Sequence, residues 1–148
     1  MAIRDLHVTA TVTPVRRWAG IVLSVIATLF FILDAGGKLI APEVMIANTP
    51  PLGLPPEIGF YRLVGAMLAI CTALYVWPRT ALLGAVLLTG FLGGAVAVNL
   101  RAGMPLFSNT LFGIYVGAFM WTGILLRRPQ ISALLVGNSS GRRGAFRR

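Results

Sequence analysis

The chain has 148 residues, of which 57% are hydrophobic and only 11% are charged, and its mean hydropathy is +0.83. A soluble domain carries roughly a quarter charged residues, so this composition excludes an ordinary soluble domain and indicates a membrane protein. The formal net charge is +9, but most arginines stand at the ends of apolar runs and no basic stretch is interleaved with aromatic residues. We therefore interpret the charge as a topology signal, and expect the lipid bilayer rather than a nucleic acid as the partner.

Cysteine and histidine are too scarce for most redox and metal chemistry. The chain has one cysteine, Cys71, within an apolar run, and one histidine, His7, in the polar N-terminal segment. A single thiol forms no internal disulfide, and a single histidine cannot supply both ligands of a bis-histidine haem. We expect no metal site, and the residues by themselves make no cofactor evident.

Four apolar runs predict four membrane-spanning helices, because about 20 apolar residues suffice to cross a bilayer. Residues 1–16 are polar and are expected to be flexible, residues 17–136 to form the transmembrane domain, and residues 137–148 to form a disordered basic tail. The four helices are predicted at about residues 17–40, 58–77, 80–100 and 106–126.

The connection between the first two predicted helices, residues 41–57, contains five of the nine prolines. Proline lacks a backbone donor and disfavours helix in the residue before it. We predict an extended loop that lies outside the hydrocarbon and covers one mouth of the bundle. The other two connections are short turns, which makes consecutive helices antiparallel neighbours.

The distribution of lysine and arginine predicts the orientation. Four spans place both termini on one side of the membrane, and ten of the 13 basic residues fall on that side. Lys38, Arg62 and Arg101 fall on the other side. Because cytoplasmic segments carry the excess of basic residues, we predict an all-α, antiparallel four-helix transmembrane bundle with both termini cytoplasmic.

Polar side chains collect at the opposite, non-cytoplasmic end of the predicted bundle. Asp34 and Lys38 are four residues apart, so they share a helix face and can pair. A charge at membrane depth costs roughly 2.5–3.5 kcal/mol, so Asp34 should face protein or water, with Lys38, Arg62 or Arg101 as its partner. Two interpretations are open: an outward-facing ligand site, or a structural network at headgroup level with snorkelling basic side chains. The candidate ligand-binding residues are Asp34, Lys38, Tyr61, Arg62, Asn99, Arg101, Ser108 and Asn109.

Small residues recur four positions apart in the last two predicted helices. Such spacing lets helix backbones approach closely in lipid, where the hydrophobic effect does not drive helices together. We predict that these small residues pack within the bundle. The pairs are Gly90 and Gly94, Gly93 and Ala97, and Gly113 and Gly117.

The stretch from Pro78 to Ala97 resembles the signature of the DoxX-like family of small bacterial membrane proteins. Further similarity at residues 34–39 and 106–112 extends the resemblance to about residues 18–135. It implies a four-helix bundle in the bacterial inner membrane. It also implies an association with redox systems, because the wider DoxX/DoxD group includes membrane subunits of thiosulfate:quinone oxidoreductase and a component of oxidative-stress membrane complexes. A quinone cofactor and redox protein partners follow as expectations from the resemblance.

The chain departs from the family pattern at three positions. Relatives often carry histidine where Asn99 and Asn109 stand, and glutamate in the second helix where Leu68 stands. Asparagine forms hydrogen bonds but does not titrate. If these groups handle protons or metal in relatives, this chain has lost that chemistry.

Three functional hypotheses are open, and no catalytic residue is assigned. The first is an accessory membrane component that binds a partner or a small lipophilic ligand through the polar residues. The second is a membrane subunit of a quinone-linked oxidoreductase, in which Asp34, Lys38, Arg101 and Asn109 would position a headgroup. The third and weakest is a small oligomeric transporter, since four short helices leave little room for a pathway. Whether the chain is an enzyme is not decided by its sequence.

Overall fold

The computed structural model describes residues 14–49 and 52–128, and within these ranges it is helical and without β-strands. The first helix begins at Pro14, inside the segment predicted to be flexible; residues 1–13 and the predicted basic tail lie outside the described residues. The helices are α1 (Pro14–Ile40), α2 (Pro42–Asn48), α3 (Ile58–Val76), α4 (Ala81–Arg101) and α5 (Phe112–Arg127), with a π-helical turn (Leu106–Thr110) before α5.

Helices α1, α3, α4 and α5, the last together with its π-helical turn, are long and apolar enough to cross a membrane. Each packs against two others, so that the four form a ring in the order α1, α3, α4, α5. Consecutive helices of the ring run antiparallel because their connections reverse the chain. The predicted all-α four-helix bundle is confirmed.

The helices pack through narrow stripes of buried side chains. Along α1 the buried positions recur every three or four residues, as expected for one face of a helix. Phe31, Leu68, Leu88, Met120 and Ile124 are almost fully buried and form the middle of the core. Large apolar side chains on the outer faces are exposed in every spanning helix, where the lipid tails would cover them.

The connection between α1 and α3 differs from its prediction in its first half. Residues 42–48 form helix α2, whereas an extended loop was expected throughout residues 41–57. Pro42 stands in the first turn of α2, where the missing N–H has no helical partner to lose. Later in the connection, Gly53 turns the chain with a φ of +67°, a conformation that glycine adopts without a steric penalty.

We call the end of the bundle that carries residues 14–20, 77–80 and 124–128 the terminal end, and the opposite end, which carries the α1–α3 connection, the loop end. At the terminal end, helices α1 and α5 cross at Gly20 and Gly123. A methyl group added at Gly20 would lie 3.0 Å from the carbonyl oxygen of Gly123, and one at Gly123 would lie 3.0 Å from the backbone nitrogen of Ser24. These two backbones are therefore in direct contact.

Helices α3 and α4 also meet closely at the terminal end, beside the turn that joins them. A methyl group added at Gly84 would lie 2.5 Å from Cα of Tyr75 and 2.7 Å from the carbonyl carbon of Leu74. The side chain of Tyr75 is only 2% exposed, and its hydroxyl lies 3.1 Å from Oγ of Ser24 and 3.2 Å from the carbonyl oxygen of Met120. One buried hydroxyl thus links α3 to both α1 and α5.

Candidate functional site: a cavity at the loop end

The loop end contains a partly open cavity of about 510 Å³ between α1, α3 and α4, beneath the α1–α3 connection. The side of the cavity nearest the connection is lined by Met45 of α2 and by Thr49, Leu52 and Leu54. Along α4 the lining runs from Asn99 down to Gly90, which is about 14 Å at 1.5 Å per residue. The cavity therefore extends from the loop end towards the middle of the bundle.

The cavity exists partly because α4 has two glycines on the face that borders it. Methyl groups added at Gly90 and Gly94 would meet no atom within 4 Å, and both glycines line the cavity. Gly93 also has no neighbour within 4 Å but does not line the cavity, and all three glycines are exposed. The prediction that these three glycines allow close helix packing is therefore wrong, as is the expectation for Ala97, which is exposed.

The other predicted stripe does lie at a helix interface. A methyl group added at Gly113 would lie 3.2 Å from Cγ2 of Val96, and one at Gly117 would lie 3.4 Å from Cδ1 of Leu92. Helix α5 thus packs against α4 through these two glycines, as predicted.

Two of the predicted site residues form an ion pair at the edge of the cavity. The ammonium group of Lys38 donates to a carboxylate oxygen of Asp34, one turn earlier on α1. The side chain of Lys38 is 18% exposed and that of Asp34 is 27% exposed, so the pair is partly withdrawn from solvent. The pairing follows from the spacing of four residues on one helix face.

Tyr61 and Asn99 supply the other predicted polar groups of the lining. Tyr61 of α3 is 6% exposed, and its ring meets that of Phe60 edge to face, with centroids 5.9 Å apart. The side-chain nitrogen of Asn99 donates to the carbonyl oxygen of Ala95 at 2.8 Å. Because this bond uses an N–H group, the amide oxygen of Asn99 is the acceptor left for a ligand.

Arg101 does not line the cavity but secures the chain that covers it. Its Nη2 donates to the carbonyl oxygen of Leu52 at 2.9 Å and lies 3.5 Å from that of Gly53. The left-handed turn at Gly53 presents these carbonyls to the guanidinium, and a methyl group there would lie 3.0 Å from Nη2. The backbone conformation at this position therefore favours glycine, and a larger residue would also have to displace the end of the Arg101 side chain.

The remaining predicted site residues lie away from the cavity. Arg62 is exposed, and the hydroxyl of Ser108 donates to the side-chain oxygen of Asn109 at 2.7 Å within the π-helical turn. The structure thus brings Asp34, Lys38, Tyr61 and Asn99 together around one space and leaves Arg62, Ser108 and Asn109 outside it.

Sequence reasoning missed the apolar part of the lining, which includes Phe60, Val64 and Phe91 as well as the two glycines. No pattern in the sequence distinguishes these side chains from others that face lipid or the core. Leu68, where relatives often carry glutamate, is fully buried in the core and lies outside the lining. Within residues 14–49 and 52–128, no three His, Cys, Asp or Glu side chains are grouped so that they could hold a metal ion.

The four spanning helices and their ring arrangement define the class of protein: a multi-pass membrane protein whose surroundings are the lipid bilayer. A family model described as the DoxX-like family matches residues 22–123, a range that includes parts of all four spanning helices. The chain belongs to the DoxX-like family, as its resemblance predicted. Searches of the curated proteins and of the solved structures return no significant match.

Proposed function

We propose that the protein is an accessory membrane component that binds a small lipophilic ligand in the loop-end cavity. The observation that carries this proposal is the cavity itself, which has a volume of about 510 Å³ and mainly apolar walls with a few polar groups. Sites for small molecules typically measure about 300–1,000 Å³ and have this composition. The bilayer would supply such a ligand directly, since Gly90 and Gly94 of the lining are exposed on a helix that can span the membrane.

The arrangement of the polar groups supports a ligand site over a purely structural network. A structural network would join the side chains of different helices to one another. Instead, Asn99 bonds to its own helix, Arg101 bonds to the backbone of the connection, and Asp34 pairs with Lys38 on the same helix. These contacts surround the cavity without crossing it.

The second candidate function is a membrane subunit of a quinone-linked oxidoreductase. Its support is the set of aromatic side chains in the lining, Phe60, Tyr61 and Phe91, against which a planar ring could pack. A transporter is disfavoured, because substrates would have to pass the terminal end, where Gly20, Gly84 and Gly123 bring helix backbones into contact.

A pair of glycine variants tests the proposed site. Gly94→Leu places a side chain in the cavity, whereas Gly93→Leu places the same side chain one residue away, outside the lining. Binding of 4-nonylphenol to protein in lipid nanodiscs would be followed as the ligand-induced rise in the thermal unfolding midpoint. We expect the rise in the wild type and in Gly93→Leu, and its loss in Gly94→Leu. Equal responses from the two variants would refute a ligand site in the cavity.

We further propose that the loop end faces away from the cytoplasm of a bacterial inner membrane, which places both termini inside. The excess of basic residues at the terminal end supports this orientation. In a Cys71→Ala background, single cysteines would be introduced by Glu57→Cys at the loop end and Arg79→Cys at the terminal end; both positions are exposed. A membrane-impermeant maleimide should label Glu57→Cys in intact spheroplasts and Arg79→Cys only after permeabilisation. The reverse labelling would invert the proposed topology.

A further inference from the structure

We infer that the ligand of this cavity is electrically neutral and that its polar end both donates and accepts hydrogen bonds, as an alcohol or a phenol does. This inference rests on the proposed function, because it specifies the chemical class of the molecule that the cavity binds. Three features carry it: the charge balance of the lining, the unused hydrogen-bonding groups around the ion pair, and the apolar surface of the remaining walls.

The lining contains one positive and one negative group, and they are paired with each other. Lys38 and Asp34 are the charged residues of the lining, and their ion pair leaves no net charge. A charged headgroup beside this pair would bring an uncompensated charge into a partly desolvated site, which is strongly unfavourable.

The charges around the cavity do not compensate for a charged ligand either. The other charged residues that the structure describes at the loop end are exposed, two of each sign. The guanidinium of Arg101 is engaged by the backbone carbonyls of the connection. This end therefore offers no excess of either sign to attract an ion. The four exposed residues are Glu43, Glu57, Arg62 and Arg101.

The polar groups of the lining supply both donors and acceptors. Asp34 has a second carboxylate oxygen beyond the one that accepts from Lys38, and Asn99 has an amide oxygen. Lys38 has further N–H groups, and the hydroxyl of Tyr61 can donate or accept. A ligand hydroxyl can satisfy both kinds of group at once, because it carries one donor hydrogen and two acceptor lone pairs.

The rest of the ligand must be apolar and fit beside the α4 backbone. Phe60, Val64 and Phe91 face the cavity from α3 and α4, and the open space in front of Gly90 and Gly94 continues towards the middle of the bundle. An alkyl chain or a ring with an alkyl chain would place its body here and its hydroxyl near the ion pair at the loop end.

Three probes with the same apolar body and different heads test the inference. They are 4-nonylphenol, 4-nonylbenzoic acid and (4-nonylphenyl)methanamine, which are respectively neutral, anionic and cationic at pH 7.5. Binding to the wild-type protein in lipid nanodiscs is measured from the dose-dependent shift of the unfolding midpoint, after subtraction of the shift seen with Gly94→Leu. We expect the phenol to bind at least about tenfold more tightly than either charged probe. The reason is that placing a charge at membrane depth costs more free energy than a tenfold difference in binding represents.

Two charge variants then reverse the preference. Asp34→Asn leaves Lys38 as an unpaired cation and should make the anionic probe the tightest ligand. Lys38→Met leaves Asp34 unpaired and should favour the cationic probe, and the double variant should prefer the phenol again. Arg62→Gln is the matched control, because it removes a loop-end charge outside the lining and should leave the order of the probes unchanged.

The outcomes separate the inference from the proposed function. If all three probes bind the wild type equally well and all are lost in Gly94→Leu, the cavity binds ligands but the inference about neutrality is wrong. If no probe distinguishes Gly94→Leu from Gly93→Leu, the proposed site itself is wrong. The wild-type comparison requires no charge variant, so it decides the inference even where Asp34→Asn or Lys38→Met does not fold.

Discussion

Glycine has opposite effects at the terminal end of the bundle and on α4 beside the cavity. At the terminal end, Gly20, Gly84 and Gly123 lie where a neighbouring backbone approaches so closely that a methyl group would not fit. On α4, Gly90 and Gly94 face open space and line the cavity. The open space is confined to this helix, because a methyl group added at Gly65 of α3 would lie 3.2 Å from the carbonyl oxygen of Ala35. The same absence of a side chain therefore allows helix backbones to touch at the terminal end and leaves space beside α4.

The difference shows that a small-residue motif does not by itself specify a helix contact. In lipid, close backbone approach replaces the hydrophobic effect as a source of helix association, and glycine permits it. Gly90 and Gly94 have the four-residue spacing associated with such contacts, yet α1 and α4 are not neighbours in the ring. The side of α4 that bears these glycines is left unfilled by any helix.

The largest expected effect on stability concerns the terminal end. We expect Gly84→Ala to lower the free energy of unfolding by about 3 kcal/mol, because the added methyl group overlaps backbone atoms of Tyr75 and Leu74 that cannot rotate away. Unfolding by sodium dodecyl sulfate in mixed micelles measures the change. Gly93→Ala is the control, and it should be neutral or stabilising by up to about 1 kcal/mol, since alanine favours helix and nothing lies within 4 Å. Similar losses from both substitutions would contradict the contrast between closely packed glycines and glycines that face open space.

A smaller effect should follow from removing the buried hydroxyl of Tyr75 at the terminal end. Tyr75→Phe removes the hydroxyl between Ser24 and Met120, and we expect a loss of about 1 kcal/mol in the same assay. Tyr115→Phe, at a tyrosine that is 45% exposed, should have no measurable effect. A double-mutant cycle with Ser24→Ala would isolate the contact between the two hydroxyls, and a coupling energy of zero would show that it contributes nothing.

The smallest change in stability is expected at the loop end. Arg101→Gln removes an exposed hydrogen bond to the connection, so the global free energy of unfolding should fall by less than about 1 kcal/mol. Amide hydrogen exchange at residues 52–54 and at Glu57 should nevertheless become several-fold faster, because the cover over the cavity loses its attachment. Arg62→Gln, which removes a charge from the same end, should leave this exchange unchanged. Unaltered exchange in Arg101→Gln would mean that other contacts hold the cover in place.

Several features were predictable because they depend on short stretches of chain. The spanning helices follow from runs of apolar residues, and the Asp34–Lys38 pair follows from a spacing of four on one helix. Helix α2 was not predicted, because the prolines that mark the connection were interpreted as breaking helix throughout. Pro42 stands in the first turn of a helix, one of the few positions where proline is tolerated.

The sequence by itself determined that this is a membrane protein with four spanning helices, and it located the family resemblance and four of the polar groups that line the cavity. Only the tertiary structure decided which glycines touch another backbone and which border open space. The physical reason is that hydropathy and helical spacing are properties of neighbouring residues in the chain. The gap beside a glycine depends instead on the distance to another helix, which is set by the ring order and by contacts such as those at Gly20 and Gly123.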